Sequence, residues 1–300
     1  MTPTAVTVPD GVRLVGSDLD GTLLNARMDV GVRARAALPR LLDAGVAFTY
    51  VTGRPPRWLA PVTEQTGVTG MAVCANGALV VDLADGTLVR ATTFDPELGA
   101  EVIQRLRQAV PGITFAVERV DRAAAAAKDL RGMSVFGMEA EYSPVWGRQA
   151  HAEIGDAVEL VRRGGLVKLL AIPPEGSGHD NDSLVDVVVA HADGGLNVTH
   201  SGARLGLVEI MSVEADKGVA FQEVADALGV DPADTVAVGD MPNDIPMLLA
   251  AGTGYAVANA HPTTRAVATH VLPSNNDDGV GHLLEAVLAA HSGHEARAAT

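Results

Sequence analysis

Two aspartates separated by a single residue lie near the start of the chain, in the segment of residues 17–22. In an extended segment alternate side chains share a side, so Asp18 and Asp20 can face one site, while Gly21 permits a sharp turn. Paired carboxylates suit a hard cation and can also divide the work of nucleophile and general acid/base. Taken alone, the segment is more typical of a solvated Asp-rich turn.

A second polar segment, residues 52–55, offers the parts of a phosphate-binding turn. Thr52 supplies a hydroxyl, Gly53 brings free backbone N–H groups, Arg54 supplies a guanidinium, and the proline that follows suits the start of a helix. A plain strand-to-helix turn also uses glycine and proline, so this signal is weak without the first.

A lysine and a third polar segment lie in the last third of the chain. Lys217 begins a predicted helix, where the positive end of the helix dipole disfavours a cation, and it could stabilise phosphate oxygens. Asp240 and Asp244 can complete an oxygen-lined magnesium site, with Asn243 fixing their orientation. Alone, Lys217 is more typical of a surface lysine, and Asp244 is also typical of a helix N-terminus.

The predicted elements explain how these segments could meet. Apolar runs with strand character precede residues 17–22, 52–55 and 239–244, and helical stretches follow them. This rhythm predicts a parallel α/β sheet, and such sheets bind ligands at the carboxyl ends of their strands. Each segment alone can be an ordinary turn, surface charge or helix N-terminus. The convergence of all four on one metal and one phosphate favours the functional interpretation.

The rhythm is interrupted and then returns, which predicts two units. Residues 1–82 and 205–290 form a discontinuous core, with a strand near 207–211 in its second part, and residues 83–204 form an inserted α/β unit. Residues 291–300 are small and polar, and we expect them to form a flexible tail.

Composition limits the partners. The net charge of −15 disfavours nucleic acid and anionic lipid surfaces, and no apolar run approaches the length of a membrane span. The chain has a single cysteine, so an internal disulfide is excluded and a cytoplasmic location is favoured. We expect a monomer or a small homo-oligomer.

The four segments closely resemble the ordered motifs of the haloacid dehalogenase superfamily, and the insertion resembles the large α/β cap of its Cof-like phosphatases. The resemblance implies a Rossmann-like parallel-sheet core with an inserted cap. It also implies an Mg²⁺-dependent phosphatase of small phosphorylated metabolites, such as sugar phosphates, that works through an aspartyl-phosphate.

The resemblance also implies a role for each residue. Asp18 becomes the nucleophile and Asp20 the acid/base. Mg²⁺ is held by Asp18, Asp20 through its backbone carbonyl, and Asp240, with Asp244 beside it. Thr52, Gly53 and Lys217 grip the phosphoryl group, Asn243 and Asp244 secure the lysine or the metal's water shell, and Arg54 and Asn76 contact the substrate or its phosphate.

Two other functions remain open at this level: a phosphomutase of sugar phosphates, and a non-catalytic protein that binds a phosphorylated metabolite. Substrate identity is expected to depend on the cap. Lys168, Arg131 and Arg148 are the basic residues considered there, and each is interpreted as an ordinary surface charge.

Overall fold

A computed structural model describes residues 6–142, 152–192, 194–200 and 206–298. The strands are β1 (Leu14–Ser17), β2 (Ala47–Val51), β3 (Met71–Cys74), β4 (Leu79–Asp82), β5 (Leu88–Ala91), β6 (Thr114–Val120), β7 (Ser134–Met138), β8 (Glu153–Ile154), β9 (Leu166–Ile172), β10 (Leu196–Thr199), β11 (Val208–Ser212), β12 (Thr235–Gly239), β13 (Thr253–Val257) and β14 (His270–Leu272). The α-helices are α1 (Val32–Asp43), α2 (Ala60–Thr66), α3 (Pro96–Ala109), α4 (Arg122–Ala126), α5 (Ala157–Arg162), α6 (Asn181–His191), α7 (Lys217–Ala227), α8 (Ile245–Ala250), α9 (Pro262–Val267) and α10 (Gly279–Ala298).

The first sheet has eight strands in the order β14-β13-β12-β1-β2-β3-β4-β5. The six strands from β14 to β3 are parallel, and β4 and β5 extend the sheet as an antiparallel hairpin. Strands β1 and β12 are adjacent although more than 200 residues separate them. The predicted parallel-sheet α/β core is therefore confirmed.

Helices cover both faces of this sheet, as a parallel sheet requires. Alternate strand residues point to opposite faces, so Val236 and Val238 pack in one apolar core and Ala237 in another. Helices α1 and α10 cover the first face, and α7 and α8 cover the second. Strands buried on both sides explain the nearly continuous apolar runs in the sequence.

The second sheet has six strands in the order β10-β11-β9-β6-β7-β8, and all neighbours are antiparallel except β7 and β8. Helices α3, α5 and α6 pack against one face through an apolar core that includes Ile103, Leu160, Leu184 and Leu169. Asp95 caps α3 by accepting from the backbone N–H of Glu97. The inserted α/β unit is thus a layer of helices on an antiparallel sheet.

The pairing corrects two of the expected limits between the units. The sequence pattern predicts a core strand near 207–211, but β11 pairs with β9 and β10 of the second sheet. The limit at residue 82 is also wrong, because it cuts the hairpin and β5 belongs to the first sheet. Strand periodicity identifies a strand but says nothing about which distant strand it joins.

The two crossings between the sheets therefore follow Ala91 and Ser212. The returning segment, residues 213–216, lies against the turn between β3 and β4. A Cβ added to Gly77 would come 2.3 Å from the carbonyl oxygen of Asp216, and Gly77 has a φ of +95°. Only glycine allows this close approach of the two backbones.

The end of the chain also differs from expectation. Helix α10 continues to Ala298, whereas residues 291–300 are predicted to be a flexible tail. Extending an existing helix needs no new nucleus, and alanine, glutamate and arginine favour the helical state. None of the helices in the described ranges is long and apolar enough to cross a membrane.

Candidate active site

The four polar segments meet at the carboxyl edge of the first sheet. Asp18 follows β1, Thr52 follows β2, Asp240 follows β12, and Lys217 begins α7. A cavity of about 750 Å³ opens beside them and separates this edge from the free face of the second sheet. Its lining residues are Asp18, Asp20, Gly21, Met28, Gly53, Arg54, Pro55, Arg57, Trp58, Pro61, Glu118, Phe136, Lys168, Leu170, Glu209, Asp240, Met241 and Asn243.

Lys217 is the centre of a buried ionic cluster. Its Nζ donates to Asp18 Oδ1 at 2.7 Å and to Asp244 Oδ1 at 2.5 Å, and its side chain is fully buried. Burial alone would lower the pKa of Lys217, but Asp18 and Asp244 outweigh it and the pKa lies above its usual value. The ammonium therefore stays charged next to Asp18 at neutral pH.

Asp18 experiences the opposite balance. Burial raises the pKa of its carboxyl well above the usual value, and Lys217 opposes this shift only in part, since Asp244 and Asp240 add repulsion. The site therefore holds more negative charge than one lysine can neutralise. A bound cation would favour the ionised form of these carboxylates.

Asp240 lies next to the turn that carries Asp18. Its Oδ1 accepts from Thr22 Oγ1 at 2.8 Å, and burial followed by repulsion from Asp244 raises the pKa of Asp240 to about 7. Gly21 has a φ of +81°, and a Cβ there would come 2.4 Å from Asp240 Oδ2. Glycine at this position thus allows the two motif loops to come together.

Asp244 is completely buried and already engaged. Its Oδ2 accepts from the backbone N–H groups of Asp240 and Met241, both at 2.9 Å, while its Oδ1 accepts from Lys217. Carboxylate oxygens of Asp18, Asp240 and Asp244 all lie within 4.8 Å of one another. Among the described residues this is a group that could hold a metal ion, and Asp244 also fixes the lysine and the Asp240 turn.

Asp20 faces the same cavity but has a different partner. Arg54 binds it through two hydrogen bonds, Nε to Oδ2 at 2.7 Å and the second guanidinium nitrogen to Oδ1 at 2.6 Å. The predicted phosphate-binding guanidinium therefore orients the Asp20 carboxylate in this structure. That carboxylate is not part of the group formed by Asp18, Asp240 and Asp244.

The residues after β2 form a compact turn. The hydroxyl of buried Thr52 accepts from the backbone N–H of Arg54 at 3.1 Å. Asn76 adopts a φ of +55° and donates its amide to Glu209 Oε2 at 2.6 Å. Asn243 donates to Asn76 Oδ1 at 3.1 Å. Asn76 and Asn243 thus connect the first sheet to the second.

Four charged residues of the cavity, Arg57, Glu118, Lys168 and Glu209, are not among the site residues predicted from the sequence. The interpretation of Lys168 as a surface charge is wrong: it is 5% exposed and its Nζ bonds to Glu209 Oε2 and the Gly53 carbonyl. Arg57 binds Glu118 through both guanidinium nitrogens. A lysine inside the apolar strand β9, and a glutamate at the centre of β6, were the available signals.

The other two basic residues considered for the cap do not enter the site. Arg131 is exposed, as expected for a surface charge, and it does not line the cavity. Arg148 lies outside the described residues.

Comparison with known proteins identifies relatives along most of the chain. The family model described as haloacid dehalogenase-like hydrolase matches residues 15–158 and 179–284. A 5-amino-6-(5-phospho-D-ribitylamino)uracil phosphatase of Bacillus subtilis is 27% identical over 93% of this chain and 99% of its own length. A pyridoxal phosphate phosphatase of Escherichia coli is 25% identical over 91% of this chain and 97% of its own.

Solved structures agree on the fold. BT1666 from Bacteroides thetaiotaomicron, described among phosphatases of the haloalkanoate (HAD) superfamily, superposes with a TM-score of 0.74 at 22% identity. The match covers 96% of this chain and all of that chain.

Proposed function

Since the chain belongs to the haloacid dehalogenase-like hydrolases, we propose that it cleaves small phosphomonoesters with Mg²⁺ as cofactor and Asp18 as nucleophile. It is a phosphatase of that family, as its curated relatives are.

One observation carries the assignment of roles. Lys217 bridges Asp18 and Asp244 inside the protein, beside Asp240, so residues from three motifs share one buried cluster. Burying charged groups costs desolvation free energy, so a buried ion cluster contributes little to folding stability and points to another role. It suits a site that must stabilise the charge of a transferring phosphoryl group.

The donor set fits a magnesium ion. Its carboxylate oxygens are the hard ligands that Mg²⁺ prefers, and burial together with repulsion from neighbouring carboxylates raises the pKa of Asp18 and of Asp240. We assign Asp18, the backbone carbonyl of Asp20, and Asp240 as the protein ligands, with Asp244 supporting them through the Asp240 turn. When bound, the ion would neutralise charge on the phosphoryl oxygens.

The chain's own residues then account for two displacements at phosphorus. An Asp18 carboxylate oxygen attacks phosphorus, the ester P–O bond breaks, and Asp20 gives its proton to the leaving oxygen. Asp20 next takes a proton from water, whose oxygen attacks phosphorus and releases phosphate from Asp18. Lys217 and the Thr52–Gly53 turn hold the phosphoryl oxygens in both steps, and Arg54 orients Asp20.

Substrate size and type follow from the cavity. A volume of about 750 Å³ admits a metabolite but not a macromolecule, and its lining combines apolar side chains with charged ones. Sugar phosphates, predicted from the sequence, fit the charged part. Phosphates that bear a ring, such as those in the names of the two relatives, fit the part that contains Trp58 and Phe136. A cytoplasmic location and a monomer or small homo-oligomer stay predictions.

Phosphate release over a panel of sugar, polyol and heterocyclic phosphates tests the proposal. The wild type should release phosphate from some members only with Mg²⁺ present, and Asp18→Asn should release none. Arg131→Gln, which changes an exposed residue outside the cavity, is the matched control. No release from any member, or equal release without a divalent metal, would contradict it. Phosphoryl transfer to a second sugar without free phosphate would identify a mutase instead.

A further inference from the structure

The cavity contains a cation that the proposed reaction does not use. Lys168 lies in β9 of the second sheet, and its side chain is 7% exposed. Its Nζ donates to Glu209 Oε2 at 2.7 Å and to the Gly53 carbonyl at 2.8 Å. An ammonium has three N–H donors, and these two are its acceptors among the described residues. One donor therefore remains for the cavity that Lys168 lines.

The other two cations of the cavity are each held by a bidentate carboxylate pair. Arg54 binds both oxygens of Asp20, and Arg57 binds both oxygens of Glu118. Lys168 shares one carboxylate oxygen with Asn76 and otherwise meets a neutral carbonyl. Of the three, Lys168 is the cation that lies on a strand of the second sheet and is not held in a bidentate carboxylate pair.

Hydrogen bonds connect the support behind Lys168 to the proposed reaction centre. Glu209 Oε2 accepts from both Lys168 and Asn76, and Asn76 in turn accepts from Asn243. Asn243 belongs to the loop of Asp240 and Asp244. This chain of hydrogen bonds fixes the position of Lys168 relative to the first sheet, although the lysine belongs to the second.

The direction that Lys168 faces follows from where the phosphoryl group sits. Asp18, Lys217 and the Thr52–Gly53 turn surround that group from the first sheet. A substrate held there by phosphorus must extend its remaining atoms toward the second sheet. The polar groups on that side are Lys168, Glu209 and the Arg57–Glu118 pair, next to Leu170 and Phe136.

From this arrangement, and resting on the proposed phosphatase function, we propose that Lys168 is a specificity-determining residue that donates a hydrogen bond to an oxygen of the leaving group. Glu209 and Asn76 position it. The favoured substrates are then phosphomonoesters whose leaving group carries a hydroxyl, carbonyl or carboxylate oxygen close to the ester. Leaving groups without such an oxygen gain nothing from Lys168.

Two substrates separate this role from a structural one. Ribitol 5-phosphate offers hydroxyl oxygens near the ester, whereas phenyl phosphate has none beyond the phosphate itself. Lys168→Met removes the cation that faces the buried Glu209 carboxylate, which can unfold the protein, so the main variant is Lys168→Met with Glu209→Gln. The glutamine keeps an acceptor for Asn76. Lys128→Met removes an equal charge from an exposed ion pair with Asp85 and is the control.

We expect the double variant to lose about 10- to 100-fold in kcat/KM for ribitol 5-phosphate, the value of a charge-assisted hydrogen bond. The loss for phenyl phosphate should stay below about threefold, and Lys128→Met should match the wild type. Equal losses on both substrates, or no loss on either, would overturn the role of Lys168. A wild type that hydrolyses neither compound nor any other phosphomonoester would instead refute the proposed function itself.

Discussion

The two sheets contribute to the cavity in different ways. The first sheet supplies residues from loops at the ends of its strands, where Asp18, Thr52 and Asp240 each follow a strand directly. The second supplies residues from within its strands, namely Glu118, Lys168 and Glu209. Loops permit the close convergence that a charged reaction centre needs, whereas a strand face presents side chains at fixed spacing to a larger ligand. We infer that chemistry belongs to the first sheet and selectivity to the second.

The strongest test of this division is the nucleophile. Asp18→Asn should lower kcat by at least ~10⁴-fold on every substrate, because an amide cannot form the covalent intermediate. The measurement is phosphate release, with circular dichroism to show that the variant is folded. A loss confined to some substrates would place Asp18 in selectivity and break the comparison.

Asp20 should give the next largest effect. Asp20→Asn removes the group that donates and accepts the proton, so kcat should fall about 10²- to 10³-fold on all substrates with a poor leaving group. Mg²⁺ affinity, measured by calorimetry, should change little, since only the backbone carbonyl of Asp20 is assigned to the metal. An affinity loss as large as that of Asp240→Asn would contradict this assignment.

The pH dependence of metal binding tests the electrostatics of the first sheet. Burial and Asp244 raise the pKa of Asp240 to about 7, and burial also raises that of Asp18. Mg²⁺ needs the ionised carboxylates, so binding releases protons and affinity rises with pH. We expect about tenfold tighter binding at pH 8 than at pH 6. Affinity that falls over this range would show that these carboxylates do not hold the metal.

The same groups affect folding stability without metal. A carboxyl whose pKa is higher in the folded than in the unfolded state binds its proton more tightly when the protein is folded. The free energy of unfolding therefore falls as the pH rises from the unfolded pKa towards 7. The melting temperature of the metal-free protein should therefore drop between pH 5 and pH 7, and saturating Mg²⁺ should reduce the drop. Asp240→Asn, which cannot ionise, is the matched control.

The smallest effect is expected from the contact between the loop after β2 and the second sheet. Arg57 binds Glu118 and donates to Ser134 Oγ at 2.8 Å, so it connects the loop after β2 to β6 and β7. Arg57→Met with Glu118→Gln should raise KM about three- to tenfold and change kcat less than threefold. The reason is that this pair lines the part of the cavity that we assign to the leaving group. A large loss of kcat at unchanged KM would show that the pair acts in the chemical step. The proposed division between chemistry in the first sheet and selectivity in the second would then be wrong.

The sequence predicts the first sheet better than the second for a physical reason. The segments around Asp18, Thr52 and Asp240 each follow an apolar run, so local patterns locate them at strand ends, and the structure brings them together. The sequence pattern predicts β11 in the wrong sheet, because the pairing of β11 with β9 and β10 is a long-range property. Sequence spacing contains no information about such a partner.

Individual side chains show the same limit. From the sequence, Lys168 is interpreted as a surface charge. In the fold, its ammonium is bonded to the Gly53 carbonyl and to Glu209. Arg54 was expected to meet phosphate, and its bidentate contact with Asp20 depends on loop geometry that residue types do not specify. Residue types and their order were sufficient to predict which segments meet at the edge of the first sheet, but the partner of each charge required the fold.

The short return segment, residues 213–216, has a consequence for modular engineering. It joins β11, which carries Glu209, to the helix that begins with Lys217, and its backbone rests on Gly77 next to Asn76. An exchange of the inserted unit between relatives therefore has asymmetric junctions. The junction after Ala91 follows a complete hairpin. The return junction, in contrast, packs against the turn between β3 and β4 of the first sheet. The last strand of a transplanted unit must end at the same position relative to Gly77. Otherwise the segment that follows it shifts and displaces Lys217.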